Sequence, residues 1–294
     1  MHPAPLSDDA AAELAVSALP LAGYAPTPPT SLARGTTNVV VAFAQHNVAL
    51  RVSPSGLSRT VRRGYSLSQL VPTALTPSFV TAKDSHVVAF FDLASPASSS
   101  RSSSWQDAQR LSSFLHEMPL PSLHLPVFDP IGDLPARITH LAHSPLDAWV
   151  KPLRLLLARS EASLSRHYFT PRVIHGDLHA AQVVYLVDKP HLTDFDHAAL
   201  GPIEADWGRI YAWFNADQLP GAALATAWDE KRTDPHIGFV SLYARFYAMR
   251  YVTFLASLYL DSPDTPPSSR LAPFANTLGL DTTMLPPPLA PTDL

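Results

Sequence analysis

The sequence predicts an α+β protein in two parts, a β-rich N-terminal lobe followed by a larger, mainly helical C-terminal lobe. Three observations lead to this prediction. The chain has 294 residues, of which 46% are hydrophobic and 16% charged, so each of two lobes can bury a core. Runs of β-branched residues dominate the first third, and apolar residues at helical spacing dominate the rest. We expect the N-terminal lobe over 1–92 and the C-terminal lobe over 93–294.

The N-terminal lobe is predicted to combine two helices with several strands. The first helix is expected over Asp8–Ala18, where acidic residues precede a run of alanines. Asn38–Ala44 and Val48–Val52 are rich in β-branched residues and are separated by only three residues, which favours a hairpin. His86–Phe91 is predicted to form a further strand, with Phe79–Ala82 as its partner.

The C-terminal lobe is predicted to be helical around a small β insert. Apolar spacing predicts helices at Ser58–Leu70 in the first lobe, then at Trp105–Met118, Leu146–Tyr168, Ala205–Phe214 and Ile237–Leu260. Short strands are predicted at Arg172–Ile174, Val183–Leu186 and His191–Asp194. Serine content predicts a flexible linker or an exposed loop at Ser95–Ser104, and proline clusters predict loops at Pro119–Pro130 and Pro263–Pro273.

Composition narrows the classes of function. The absence of cysteine excludes disulfides, thiolate metal sites and cysteine nucleophiles. The net charge of −4 comes entirely from residues 201–294, so nothing indicates a nucleic-acid partner. No run reaches the roughly 18 apolar residues that a membrane span needs, and acidic residues interrupt the N-terminal segment where a secretory leader would be apolar. We therefore expect a cytoplasmic protein with no membrane partner, and the sequence does not indicate its oligomeric state.

The segment 173–214 carries the residues that indicate a chemistry. It reads VIHGDLHAAQVV, then LTDFD, and then GPIEADWG. Transfer of a phosphoryl group to an alcohol needs a carboxylate that orients the hydroxyl, together with cations that neutralise the phosphates. Asp177 supplies such a carboxylate after a short strand, and Gln182 and Asp194 supply oxygen ligands of the kind that Mg²⁺ takes. Two tightly joined strands would bring these three side chains to one end of a hairpin.

This spacing resembles the catalytic loop and metal-binding motif of the protein-kinase fold. The His-Gly-Asp-Leu-His form is similar to that of the aminoglycoside phosphotransferase and choline kinase group. Gln182, where that group usually has Asn, resembles the maltokinase and glucosamine kinase branch. The resemblance implies a bilobal protein-kinase-like fold, with Asp177 as the catalytic carboxylate and with Gln182 and Asp194 as Mg²⁺ ligands.

The same resemblance implies roles for residues around this centre. Gly35 and Asn38 match a short turn that covers the nucleotide, and Arg51 stands on the strand that usually carries a phosphate-binding lysine. His175 and Asp206 match residues that support the catalytic loop, Asp206 through backbone N–H groups at the start of a helix. Asp196 and His179 are further candidates, each with a plain turn or surface position as the alternative.

One departure from the family pattern concerns the partner of Arg51. Kinases usually pair the phosphate-binding cation with a glutamate on the next helix. No acidic residue lies between Arg51 and Lys83. Either Gln69, the one obvious polar candidate, orients Arg51, or the nucleotide alone holds it.

The function predicted is a Mg²⁺-dependent phosphotransferase that uses ATP or GTP and a small-molecule hydroxyl acceptor. A sugar, amino sugar or aminoglycoside is favoured as the acceptor. The alternative is a catalytically weak pseudokinase that acts as a ligand-binding module, which the missing glutamate favours. The aromatic segment Phe239–Tyr259 is expected to be helix core, although Tyr243, Phe246 or Tyr251 lining the acceptor pocket is the alternative.

Overall fold

The computed structural model describes residues 6–34, 38–96, 101–216, 237–261, 267–283 and 285. The chain forms two compact units. The first unit consists of Met1–Pro126 and His175–Ala199, and the second consists of Val127–Ile174 and Leu200–Leu294. Because the segment 175–199 belongs to the first unit, the predicted catalytic loop and metal segment share that unit with the N-terminal strands. The lobe boundary predicted after residue 92 stays a prediction.

A five-stranded antiparallel sheet forms the centre of the first unit. Its strands are β1 (Ser31–Arg34), β2 (Val39–Phe43), β3 (Val48–Pro54), β4 (Phe79–Lys83) and β5 (His86–Asp92), in the order β1-β2-β3-β5-β4. Consecutive residues of a strand point to opposite sides of a sheet, so both sides of this sheet carry apolar side chains. The predicted hairpin and the pairing of Phe79–Ala82 with His86–Phe91 are both confirmed.

One helix covers each side of this sheet. Helix α1 (Asp8–Ala18) packs on the side that carries Val88 and Phe90. Its N-terminus is capped by Ser7, whose Oγ accepts a hydrogen bond of 3.2 Å from the backbone N–H of Ala10. Helix α2 (Ser58–Ser68) packs on the other side through Val61 and Tyr65, against the alternate residues of β5. Helix α2 therefore lies on the opposite side of the sheet from α1.

A second, smaller sheet continues the first unit. Strand β6 (Ser95–Pro96) precedes helix α3 (Arg101–Glu117), and it pairs with a hairpin formed by β8 (Val183–Leu186) and β9 (Lys189–Leu192). The backbone around Ala74 runs parallel to Leu192 and exchanges hydrogen bonds with it. These bonds attach the end of the β8–β9 hairpin to the segment that follows α2.

The second unit is mainly helical. Its helices are α4 (Leu134–His140), α5 (Val150–Leu164), α6 (Ile203–Ala216), α7 (Ile237–Asp261) and α8 (Leu271–Thr277). A two-stranded sheet pairs β7 (Arg172–Ile174) with β10 (Ala199–Gly201), where the chain passes back into this unit. Helix α7 lies at the core, with the side chains of Tyr243 and Phe246 each 1% exposed. That burial favours the core interpretation of the aromatic segment over an acceptor pocket.

The α+β class with a β-rich N-terminal part is confirmed, and three details differ from prediction. The linker predicted at Ser95–Ser104 is wrong in part, because β6 and the first turn of α3 occupy its two ends and residues 97–100 lie outside the described residues. Helix α8 falls in a predicted proline loop because Pro273 sits in its first turn, where no intrahelical N–H bond is lost. Strand β1 was not predicted, because it is an edge strand whose four residues are all exposed and show no apolar pattern.

The described residues contain no helix with the length and apolar character needed to cross a bilayer.

Candidate active site

The candidate catalytic loop begins where β7 ends and returns the chain to β8. His175 is completely buried at its start, and Asp177, two residues on, is partly exposed. Gly176 between them has φ +77°, and a β-carbon there would overlap the backbone oxygen of His197. Only glycine combines that backbone conformation with that close approach, so Gly176 sets the direction in which Asp177 leaves the strand.

His175 joins the catalytic loop to the metal segment. Its Nε2 lies 2.8 Å from the backbone oxygen of Thr193, directly before Asp194. A carbonyl oxygen accepts only, so Nε2 carries the proton and Nδ1 is left as an acceptor. The backbone N–H of Asp177 donates to that Nδ1 over 3.4 Å. The ring therefore ties the backbone of both predicted acidic residues to one buried point.

The β8–β9 hairpin brings Gln182 and Asp194 to the same end. Val183 pairs with Leu192, and the N–H of Thr193 donates to the backbone oxygen of Gln182 over 3.0 Å. Residues 182 and 194 therefore leave the hairpin side by side, as the sequence predicts.

The side-chain amide of Gln182 connects two further candidates. Its Nε2 donates to Oδ2 of Asp177 over 3.4 Å and lies 3.2 Å from Nε2 of His179. Because the amide nitrogen faces these two residues, the amide oxygen is left as an acceptor for another group. The structure thus places Asp177, His179 and Gln182 together.

Asp194 has the features of a cation ligand. It adopts a left-handed backbone with φ 64°, which aspartate tolerates better than most residues. Its Oδ1 is buried and has no hydrogen-bond partner among the described residues, although it lies 3.1 Å from Nη2 of Arg51. A buried carboxylate oxygen that makes no hydrogen bond, one residue beyond the partner of Gln182 in the hairpin, fits the oxygen ligands that a divalent cation such as Mg²⁺ takes. The described residues contain no cluster of three or more His, Asp or Glu side chains that could hold a metal ion.

Arg51 lies at the centre of a buried charge cluster. The residue is 7% exposed and stands on β3. Its Nη2 donates to Oδ2 of Asp196 over 2.6 Å, and its Nη1 donates to Oδ1 of the same carboxylate over 3.3 Å. With the Asn38 amide turned so that its oxygen faces the guanidinium, that oxygen accepts from Nη2 at 2.8 Å and Nε at 3.1 Å. Arg51 is therefore held by two aspartates and one amide.

The charges of this cluster shift one another. Burial alone would lower the pKa of Arg51, but Asp194 and Asp196 together raise it, so the guanidinium stays protonated. Burial raises the pKa of Asp196, Arg51 opposes that shift, and the Asp194 carboxylate reinforces it. The cluster of one cation and two carboxylates carries an excess negative charge that a metal ion would offset.

These contacts revise the expectation for the partner of Arg51. Gln69 is exposed at the end of α2, and the acidic partners come instead from the Asp-Phe-Asp segment after the hairpin. Asp196 is thus more than a turn residue, since only 7% of it is exposed and it pairs with Arg51 through both oxygens. The sequence marks Asp196 as a candidate through the second carboxylate of that segment, but it does not predict the pair with Arg51.

Two other predicted site residues, Gly35 and Asp206, are not among the contacts described above. Gly35 falls outside the described residues. Asp206 belongs to the second unit, completely buried in the first turn of α6, so its anchoring of the catalytic loop stays a prediction.

Comparison with known proteins supports the fold. No family model and no curated protein sequence matches the chain. Among solved structures, a choline/ethanolamine kinase family protein from Mesorhizobium loti has a TM-score of 0.64 at 16% identity, over 92% of this chain and 96% of that one.

Two other solved structures are similar to the chain. The aminoglycoside phosphotransferase APH(3'')-Id from Streptomyces rimosus has a TM-score of 0.55 at 13% identity, over 74% of this chain and 92% of that one. The amicoumacin kinase hAmiN, solved with AMP-PNP, Ca²⁺ and Ami, has a TM-score of 0.59 at 12% identity, over 87% and 89% of the two chains.

The chain therefore has the fold of the choline kinases and aminoglycoside phosphotransferases, as its catalytic-loop motif predicts. At these identities the likeness concerns the fold, and the activity is argued from the site.

Proposed function

We propose that this protein is a Mg²⁺-dependent phosphotransferase that moves the γ-phosphate of ATP or GTP to a hydroxyl group of a small molecule. The observation that carries the proposal is the placement of four groups in the first unit. Asp177, Gln182 and Asp194 gather at the end of the β8–β9 hairpin, and Arg51 reaches the same place from β3. A general base, two oxygen ligands and a phosphate-binding cation are the parts that phosphoryl transfer needs.

Asp177 is proposed to act on the acceptor. Its partly exposed carboxylate is held by the Gln182 amide at 3.4 Å, and its backbone is held by His175. The carboxylate orients the hydroxyl and takes its proton as the oxygen attacks the γ-phosphorus. The bond between that phosphorus and the bridging oxygen breaks, and the nucleoside diphosphate leaves.

Arg51, Gln182 and Asp194 are proposed to act on the nucleotide. Asp194 Oδ1 and the Gln182 amide oxygen would hold the metal ion, whose contribution is to neutralise the phosphate oxygens. Arg51 stays charged, and its planar guanidinium suits phosphate oxygens. Asn38 is proposed to lie beside the phosphates, because its amide contacts the Nε edge of that guanidinium. Amicoumacin kinase, which shares the fold, was solved with AMP-PNP and Ca²⁺, in line with such a site.

A sugar, amino sugar or aminoglycoside is the proposed acceptor class. Two observations favour it, namely the Gln182 form of the catalytic loop and an aminoglycoside phosphotransferase among the solved structures with this fold. The negative charge of residues 201–294 also favours a cationic acceptor. We place the reaction in the cytoplasm.

The alternative is a pseudokinase that only binds its ligand, which the missing helix glutamate favours. Against it, Asp194 and Asp196 both lie within ion-pair distance of the Arg51 guanidinium, so Arg51 has acidic partners from another segment.

The proposal is tested by incubating the purified chain with ATP or GTP and Mg²⁺ against a panel of sugars, amino sugars, aminoglycosides and amino alcohols. Acceptor-dependent release of nucleoside diphosphate, matched by a phosphorylated product in mass spectra, supports it. Tight Mg²⁺–nucleotide binding without any product would instead favour the pseudokinase.

A further inference from the structure

Helix α2 supplies no counter-ion for Arg51. No Asp or Glu lies between Arg51 and Lys83, and α2 itself carries Arg59, Arg62 and Arg63. Arg51 is only 7% exposed, and its guanidinium needs a partner because an unpaired buried charge is strongly unfavourable. In kinases that partner is usually a glutamate on this helix.

The carboxylate of Asp196 binds the two terminal nitrogens of the Arg51 guanidinium. Its two oxygens accept from Nη2 and Nη1 at 2.6 and 3.3 Å, and the Asp196 side chain is as buried as that of Arg51. An end-on bidentate pair fixes both the position and the plane of the guanidinium. The remaining Nε edge faces Asn38, and Asp194 keeps an oxygen without a hydrogen bond.

Gly64 explains how Asp196 reaches this place. A β-carbon at residue 64 would lie 2.9 Å from the backbone carbon of Phe195 and 3.0 Å from Oδ1 of Asp196. Helix α2 therefore approaches the turn after Asp194 through its one residue without a side chain. The neighbouring Arg63 donates from Nη2 to the backbone oxygen of Asp196 over 3.3 Å. The helix thus contributes space and a donor in place of a carboxylate.

We propose that Asp196 is the positioning residue for Arg51, in the role that a helix glutamate has in other kinases, and that Gly64 makes this arrangement possible. The proposal rests on the proposed function, since it concerns how Arg51 is presented to the nucleotide phosphates. Asp196 binds the two terminal nitrogens of the guanidinium and thereby fixes the position from which Arg51 acts on the phosphates, while Asp194 keeps an oxygen without a hydrogen bond for the metal ion.

The test compares Mg²⁺·ATP with adenosine by calorimetry on the full chain. Asp196→Asn keeps the size of the side chain and removes its charge, so we expect Mg²⁺·ATP to bind about tenfold to a hundredfold more weakly and adenosine to bind unchanged. In an Arg51→Ala background, Asp196→Asn should have no further effect on Mg²⁺·ATP. Asp188→Asn, at an exposed hairpin turn in the same unit, is the matched control.

Gly64→Ala provides a second route that leaves every charge in place. The added methyl group displaces Asp196, so we expect a selective loss of Mg²⁺·ATP affinity. The control Ser66→Ala, on the exposed side of α2, should leave the Mg²⁺·ATP affinity unchanged. Thermal unfolding shows whether Asp196→Asn and Gly64→Ala are folded. If one of them does not fold, the binding data of the other test the role of Asp196.

The outcomes separate this inference from the proposed function. If the parent protein binds Mg²⁺·ATP no better than adenosine, the proposed function fails. If the parent discriminates and the folded Asp196→Asn or Gly64→Ala variant discriminates equally well, only the role of Asp196 is overturned. An effect of Asp196→Asn that persists without Arg51 also overturns it.

Discussion

The ring of His175 bridges the catalytic loop and the metal segment, because its Nε2 donates to the backbone oxygen of Thr193 over 2.8 Å and its Nδ1 accepts from the N–H of Asp177. The two acidic residues proposed for base and metal therefore depend on one buried imidazole. The ring itself has no exposed surface, so it positions the site without touching substrate.

Replacing His175 by Phe should keep most of the packing and remove both hydrogen bonds. We expect a loss of roughly 1–3 kcal/mol in the free energy of unfolding, measured by urea denaturation, together with a lower kcat. His124→Phe, at an exposed position, is the control. A variant with full stability and unchanged kcat would show that the loop is held by other contacts.

Asp194→Ala should remove the main oxygen ligand of the proposed metal site. The upward shift in Tm that Mg²⁺·ATP gives the parent protein should disappear, because the complex no longer forms at the same concentration. Gln182→Asn should retain part of the shift, since it keeps an amide oxygen on a shorter side chain. An undiminished shift in Asp194→Ala would place the metal elsewhere.

Arg51→Lys should keep the charge and lose the planar pair with Asp196. A lysine offers a point charge in place of the bidentate arrangement, so affinity for Mg²⁺·ATP should fall by less than in Arg51→Ala. Calorimetry with ATP and adenosine measures the difference. Equal losses for the two ligands in Arg51→Ala would mean that Arg51 is structural.

The stability of the second unit should decline in alkali because of Tyr243. Burial raises the pKa of Tyr243, and the nearby Glu204 carboxylate adds to the rise. An unfolded tyrosine ionises near pH 10, so above about that pH the folded state holds a proton that the unfolded state has lost. The contribution of Tyr243 to the free energy of unfolding is therefore fully present below about pH 10. Above that pH it falls by up to roughly 1.4 kcal/mol per pH unit.

Tyr243→Phe should therefore lose less stability than the parent protein between neutral pH and alkaline pH. Tyr168→Phe, at a position 89% exposed, should follow the parent curve. Unfolding by urea at several pH values measures both. Parallel curves for Tyr243→Phe and the parent protein would contradict the assignment.

Local sequence patterns predicted much of the fold. They did not predict which side chains from distant parts of the chain would be in contact. The helix over Asp8–Ala18 and the β8–β9 hairpin follow from residues next to each other in sequence, and the structure has both. The pair between Arg51 and Asp196 joins residues 145 positions apart, and no local pattern shows which carboxylate a buried guanidinium will meet. The role of Gly64 could not be predicted either, because it depends on close contact with Phe195 and Asp196, which are far away in the sequence.

Within the site, the resemblance supplied the residues and the structure supplied their connections. Asp177, Gln182 and Asp194 were predicted to share one end of a hairpin, and the register of Val183 with Leu192 places 182 and 194 there. The double attachment of the Gln182 amide to Asp177 and His179 depends on side-chain orientation, which spacing alone does not fix.

The central claim is that the chain transfers phosphate with Asp177 as its base, and one measurement tests it most directly. ATP labelled in the γ-phosphate is incubated with Mg²⁺, the hydroxyl-acceptor panel, and either the parent protein, Asp177→Asn or the control Asp188→Asn. The account predicts label on at least one acceptor with the parent and the control, and a rate about a hundredfold or more lower with Asp177→Asn, whose nucleotide affinity stays near normal. Labelled product formed by Asp177→Asn at the parental rate would contradict it.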